Sequence, residues 1–234
     1  MHHARHRYLL MLGKLLSSLF SGRAAQTQPP YSPYRDEAVN AIYNLMFCDS
    51  PEAFKPSPGT AATPWQNVLF AEPSNPRALY QLATDATQES RIRFLAYSLL
   101  REQENTTLPG TLLGFIAEIG LGKGLDTLAV YADGTARYIN QSGQILIVEN
   151  KTVLKSETQD LLDTATSILD SIGPWDEARR APPKKGHVRL SFLVSDGLYF
   201  GEGPMSAMQR DAKAAPLLQK ANALLQRMVS IASR

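Results

Sequence analysis

Three glycine-containing turns between apolar runs constrain the fold of this chain more than any other feature of its sequence. Asp133-Gly134 and Ser142-Gly143 separate runs that are apolar or alternate between apolar and polar residues, and Asp196-Gly197 separates a later pair. An Asp-Gly pair in this setting is typical of a tight β-hairpin, because both central residues of a type I′ turn need positive φ. The predicted strands are 112–119, 125–131, 135–140, 144–149, 187–194 and 198–200. The sequence therefore predicts a four-stranded meander and a separate hairpin.

The first third of the predicted body carries helical patterns instead. Ser50-Pro51, Thr63-Pro64 and Asn75-Pro76 each place a helix-capping residue directly before a proline, which is typical of a helix start. Apolar stripes at helical spacing predict longer helices over 35–47, 88–104, 157–172 and 214–232. We expect an α+β fold, in which an antiparallel sheet of about six strands has a helical N-terminal third and flanking helices.

The charge distribution divides the chain into a basic head and a slightly acidic body. The net charge is +2, but residues 1–35 contain five basic residues and no acid, so the remainder carries −3. A nucleic-acid-binding domain needs a basic face on its folded part, and we therefore expect no nucleic-acid partner. Residues 8–20 form an amphipathic pattern that could make weak contact with a membrane surface or dock on protein. The expected organisation is a basic head and linker over 1–33 and a single α+β domain over 34–234.

Histidine and cysteine are too few for most metal and nucleophile chemistry. Cys48 is the only cysteine, and His187 is the only histidine beyond the first six residues. They cannot assemble a Cys/His zinc site or an intramolecular disulfide, so we expect no metal and no cofactor. Nothing requires an oxidising compartment, and we expect a cytoplasmic protein.

The strongest candidate site lies at the second hairpin. Tyr199 and Phe200 are adjacent, so they should point to opposite faces of their strand. Glycines on both sides of Glu202 predict a tight turn into a helix begun at Pro204. An alternative is that Glu202 only caps that helix. The candidate binding residues are Trp175, Asp196, Tyr199, Phe200 and Glu202.

A basic run precedes this hairpin. Residues 179–185 contain four cations and two adjacent prolines, with no aromatic residue among them. Because the run has no platform for base stacking, we expect a solvated connector held away from the sheet edge.

Three segments of the chain resemble segments of other proteins. Gly173-Pro174-Trp175-Asp176, the run 192–204 (FLVSDGLYFGEGP) and the run 135–140 (TARYIN) are similar to a group of bacterial hypothetical proteins with no established activity. The resemblance extends from about Tyr34 onwards. It implies a bacterial, cytoplasmic origin and carries over no site residue.

Two classes of function remain open, and whether the protein is an enzyme is left undecided. The first class is a non-enzymatic binding or assembly protein that acts through protein contacts, because no acid, base and nucleophile can be grouped locally. The alternative is an enzyme or small-molecule binder whose pocket gathers Trp175, Tyr199 and Glu202, with Asp126 or Glu118 as a further carboxylate.

The predicted sheet also indicates self-association. An antiparallel sheet that does not close has two edges, and no proline interrupts any of the predicted strands. The N-terminal helices could cover one edge and leave the other for a symmetric copy. The expected partner is therefore the chain itself, in a homodimer, or an unidentified protein.

Overall fold

The structure is a computed structural model that describes residues 30–103 and 108–233. Its strands are β1 (Leu112–Gly120), β2 (Leu125–Tyr131), β3 (Ala136–Ile139), β4 (Ile145–Val148), β5 (His187–Val194) and β6 (Gly197–Pro204). They form one antiparallel sheet in the order β4-β3-β2-β1-β5-β6. The predicted meander and separate hairpin are confirmed, and the hairpin joins the meander where β5 pairs with β1.

The turns that carried the strand prediction lie where it placed them, but the expected type I′ geometry is wrong, because Asp133 and Asp196 do not have positive φ and neither does Gly197. Gly134 closes the turn from β2 to β3 with φ +88°, and Gly143 closes the turn from β3 to β4 with φ +86°. Side chains other than glycine rarely adopt this left-handed region. The turns therefore fix the meander locally.

The α-helices in the described residues are α1 (Glu37–Phe47), α2 (Pro64–Leu69), α3 (Pro76–Thr84), α4 (Ser90–Arg101), α5 (Lys155–Thr166), α6 (Met205–Met208) and α7 (Ala214–Ala232). Short 3₁₀ helices cover Pro51–Phe54 and Leu169–Ser171. All three proline-marked starts are confirmed, and Gln66 closes a capping box on Thr63, whose backbone N donates to Gln66 Oε1 at 2.8 Å.

Helices cover both faces of the sheet, and each face has its own core. Helices α1 to α4 pack on one face, which we call the N-terminal face, through Ile116, Ala129 and Tyr131. Helices α5 and α7 pack on the opposite C-terminal face, through Phe115 and Phe192. The α+β class is confirmed as three layers with the sheet in the middle.

The N-terminal helices therefore cover a face of the sheet, and the expectation that they would cover an edge is wrong. Their apolar stripes match the apolar residues of one sheet face, and this pairing buries more side-chain surface than an edge would. Among the described residues, the edge strands of the sheet are β4 and β6.

Packing of the chain begins before the expected domain start at residue 34. The Tyr31 backbone N donates to Asn44 Oδ1 at 3.0 Å, and its hydroxyl donates to the carbonyl oxygen of Arg179 at 2.8 Å. Tyr34 is buried, and its hydroxyl lies 3.0 Å from Thr127 Oγ1 of β2. The expected amphipathic segment over 8–20 lies outside the described residues.

Candidate functional site

A connecting segment crosses the N-terminal face and organises the candidate site. This strap, residues 173–186, links the second 3₁₀ helix to β5. Its carbonyl oxygens at Arg180 and Ala181 accept hydrogen bonds from the Arg189 guanidinium at 2.9 and 2.6 Å. Lys184 O lies so close to β1 that a Cβ built on Gly120 would be 2.3 Å from it. The glycine at the end of β1 leaves room for the strap.

The expectation of a solvated connector over 179–185 is wrong for Arg179, which is buried. Its guanidinium forms a salt bridge with Asp49 and donates to Asn44 Oδ1 at 3.0 Å. It lies 3.9 Å from the centre of the Phe47 ring. Because it is paired with Asp49 and stacked on the Phe47 ring, the Arg179 guanidinium can be buried away from water. The strap is thereby attached to α1.

Three charged side chains from adjacent strands form one row beneath the strap. The register places Arg189 of β5 directly between Glu118 of β1 and Glu202 of β6. The guanidinium nitrogens lie 2.7 Å from a Glu202 oxygen and 3.7 Å from a Glu118 oxygen. Glu118 is completely buried and Arg189 is nearly so. One buried cation is therefore shared by the buried Glu118 carboxylate and the partly exposed Glu202 carboxylate.

A hydrogen-bonded chain connects this row to α1. The Tyr43 hydroxyl donates to Glu118 Oε1 at 2.6 Å, and Arg179 donates to the same hydroxyl at 3.2 Å. Burial raises the pKa of Glu118, while the bond from Tyr43 and the charge of Arg189 act against that shift. We call Glu118, Arg189, Glu202, Tyr43 and Arg179 the buried polar cluster. It joins sheet, strap and N-terminal helices.

The structure brings three of the predicted site residues to the N-terminal face beside this cluster. Trp175 and Phe200 pack edge to face with ring centres 5.0 Å apart. The Arg180 guanidinium lies 4.5 Å from the Trp175 ring centre and 5.4 Å from that of Phe200. Glu202 follows Phe200 on the same face of β6. The aromatic pair is thus already covered by a cation of the strap.

Tyr199 and Asp196 are not part of that group. Tyr199 packs in the core of the C-terminal face, and its hydroxyl donates to Asp196 Oδ2 at 2.9 Å. Burial and this hydrogen bond raise the pKa of Tyr199 to about 12. The structure therefore does not bring Trp175, Tyr199 and Glu202 into one pocket. Asp126 also lies apart from Glu118, because its side chain accepts from the Gln141 backbone N at 2.7 Å.

The tight turn expected around Glu202 is wrong, and so is the alternative that Glu202 caps a helix. Strand β6 continues to Pro204, and its partner residues run in unbroken register to His187 of β5. Only then does α6 begin. The ladder to β5 outweighs the turn preference of Gly201 and Gly203, and it presents Glu202 to Arg189.

The outer side of β4 is a second candidate site. Its four residues are all apolar, and none is charged or proline. Ile145 and Ile147 are 37% and 43% exposed on the N-terminal face, and Val229 of α7 is 48% exposed. A groove of about 550 Å³ on the C-terminal face is lined in part by Leu146, Tyr138 and Val229. We call Ile145, Leu146, Ile147 and Val229 the edge surface.

Among the described residues, no group of three or more His, Cys, Asp or Glu side chains is arranged to hold a metal ion. No helix within 30–103 or 108–233 is long and apolar enough to cross a membrane.

No family model and no curated protein matches this chain. The resemblance to bacterial hypothetical proteins stays a prediction.

Proposed function

We propose that this protein is a non-enzymatic assembly protein that acts through protein contacts, with the edge surface of β4 as its contact site. The simplest assembly is a homodimer. The observation that carries the proposal is an edge strand with four apolar residues and half-exposed isoleucines.

The state of the carboxylates supports a binding role over acid–base chemistry. Glu118 is completely buried, and Glu202 is bonded to Arg189 through two guanidinium nitrogens at 2.9 and 2.7 Å. A general acid or base must be within hydrogen-bond reach of its substrate. Here Glu118 is out of reach of a substrate and Glu202 is held by Arg189, so we assign both a structural role beside the strap.

The outer side of β4 supports the contact site. A sheet edge presents backbone N–H and C=O groups that can pair with another strand, and proteins commonly block such edges with charge, proline or a bulge. Strand β4 has none of these features. At the opposite edge, the Trp175 backbone N donates to the carbonyl oxygen of Leu198 at 2.7 Å, so the strap occupies part of β6. Within the part of the chain that the structure describes, the β4 edge is the more open of the two.

The size of the site indicates weak association. Strand β4 has only four residues, which limits the number of backbone hydrogen bonds that it can form with a partner. Contacts below the usual size of stable interfaces are typical of transient complexes, with dissociation constants on the order of micromolar. We therefore expect the assembly to dissociate on dilution.

A pair of lysine substitutions tests the proposal. Ile147→Lys places a charge on the edge strand, and Tyr80→Lys places one on another exposed side chain, of α3. Sedimentation equilibrium on the full chain should give weaker association for Ile147→Lys and unchanged association for Tyr80→Lys. Equal masses for both variants and the unaltered chain would contradict the proposal.

A further inference from the structure

The backbone of β4 shows which of its groups are free to pair. The Asn140 backbone N donates to the carbonyl oxygen of Gln144 at 3.0 Å, and the two residues continue the register of β3 with β4. Hydrogen-bonded pairs alternate along an antiparallel ladder. Leu146 and Val148 therefore bond to β3, while the N–H and C=O groups of Ile145 and Ile147 point to the open side.

This alternation allows β4 to pair with a second copy of itself in registers that set the outward residues of the two strands opposite each other. We infer that two copies join at the edge surface through antiparallel β4 strands, with Leu146 opposite Leu146 and Ile145 opposite Ile147 of the other copy. This inference rests on the proposed function. The outward groups of Ile145 and Ile147 then meet, and each such pair exchanges two N–H···O bonds. The two sheets become continuous across a two-fold axis.

Charge favours this register over the one with Ile147 on the axis. Apolar pairing favours it over the one with Ile145 on the axis, which would place Ile147 opposite Gly143. With Leu146 on the axis, Glu149 lies opposite Gly143 and Lys151 opposite Gln141, so no like charges face each other. With Ile147 on the axis, the Glu149 carboxylate would lie beside Ile145, where an apolar contact would be lost. The Leu146 register pairs Ile145, Leu146 and Ile147 with apolar side chains and places the neutral Gln144 opposite Val148.

The same pairing also brings apolar side chains of the two copies together on each face of the joined sheet. A two-fold axis perpendicular to the sheet places the half-exposed Ile145 and Ile147 of both copies together on the N-terminal face. The two Leu146 side chains meet on the C-terminal face, beside the groove that Val229 lines. One contact would thus cover the edge surface on both sides of the strand.

Cysteine substitution can measure the register directly. In the inferred pairing, Leu146 faces itself at the close spacing of a non-hydrogen-bonded pair, about 4.5 Å between Cα atoms, which a disulfide can bridge. Two copies of Ile147 are diagonal neighbours about 7–8 Å apart, beyond usual disulfide geometry. The native Cys48 should not interfere, because it is buried and burial raises the pKa of its thiol.

The experiment compares Leu146→Cys, Ile147→Cys and Tyr80→Cys in the full chain under mild oxidation, read by non-reducing electrophoresis. Thermal unfolding under reducing conditions establishes that each variant is folded. Pairing raises the effective concentration of facing thiols to about millimolar, so Leu146→Cys should cross-link on the order of 100-fold faster than the exposed control at about 10 μM protein. Ile147→Cys should remain near the control.

Each other outcome has a definite meaning. Cross-linking of Ile147→Cys in place of Leu146→Cys would overturn the register but keep the dimer. If the unaltered chain is dimeric and neither variant cross-links above the Tyr80→Cys control, the β4 contact is wrong while self-association stands. A chain that is monomeric throughout the concentration range would overturn both this inference and the proposed function.

Discussion

Replacing Arg189 with methionine should destabilise the fold strongly, and more so at alkaline than at acidic pH. Methionine keeps much of the apolar length of the side chain but removes the cation that Glu118 and Glu202 share. It also removes the donors to the strap carbonyl oxygens of Arg180 and Ala181. Breaking a buried ion pair by removing one partner typically costs about 3–5 kcal/mol. We expect a loss of that size at pH 8.

The pH dependence follows from the pKa of Glu118. Burial already raises this pKa, and the charge of Arg189 opposes the rise, so the variant should raise it further. A carboxyl group whose pKa is higher in the folded state than in the unfolded chain lowers stability as the pH rises through that range. At a pH below the pKa of Glu118 in the unfolded chain, this loss of stability is absent, because the carboxyl group is protonated in both the folded and the unfolded state. The loss caused by Arg189→Met should therefore be about 1 kcal/mol or more smaller at pH 5 than at pH 8.

Urea unfolding at the two pH values measures both effects, with the slope against urea showing whether the transition stays two-state. The matched control is Arg189→Met combined with Glu118→Gln, since glutamine can still accept the hydrogen bond from Tyr43 but carries no charge. The difference between the two pH values should largely disappear in the double variant. A loss below about 1 kcal/mol, or an equal loss at both pH values for the single variant, would refute the role of the buried charge.

Two further predictions concern the start of the domain and the strap. Removal of residues 1–30 should change the free energy of unfolding by less than about 0.5 kcal/mol, whereas removal of 1–34 also deletes the bonds of Tyr31 and should cost about 2–4 kcal/mol. Equal stability of the two truncated chains in thermal unfolding would contradict this. Gly120→Ala should cost about 1–3 kcal/mol, because its Cβ would lie 2.3 Å from a strap oxygen, while Gly201→Ala meets nothing within 4 Å and should be nearly neutral in urea unfolding. Similar losses for both glycine variants would show that the strap does not lie on β1.

Local patterns predicted most of the elements correctly. The turns at Gly134 and Gly143 and the capping box at Thr63 each depend on a few consecutive residues, so the sequence alone can indicate them. Strand β6 shows where this fails. Its glycines favour a turn locally, but pairing with β5 extends the strand to Pro204, and such a long-range contact cannot be derived from local preference.

The sequence indicated Glu118 and Glu202 as candidate carboxylates, but it did not indicate that they share Arg189 or bond to Tyr43, for a related reason. Glu118 lies within the continuous apolar run of β1, and Arg189 lies at an inward position of β5. An ionisable residue in such a run indicates a buried partner. Which residue is the partner of Glu118 depends on the pairing of β1 with β5, and this pairing joins residues far apart in sequence. Arg179 shows the same limit, because the basic run around it suggests solvent exposure until the aromatic rings of α1 are placed beside it.

Light scattering coupled to size exclusion, applied to the unaltered chain over a dilution series around micromolar concentration, tests the central claim most directly. Association through β4 predicts a mass that approaches twice the chain mass of 25.8 kDa at high concentration and falls towards 25.8 kDa on dilution. A mass near 25.8 kDa at every concentration would contradict the claim.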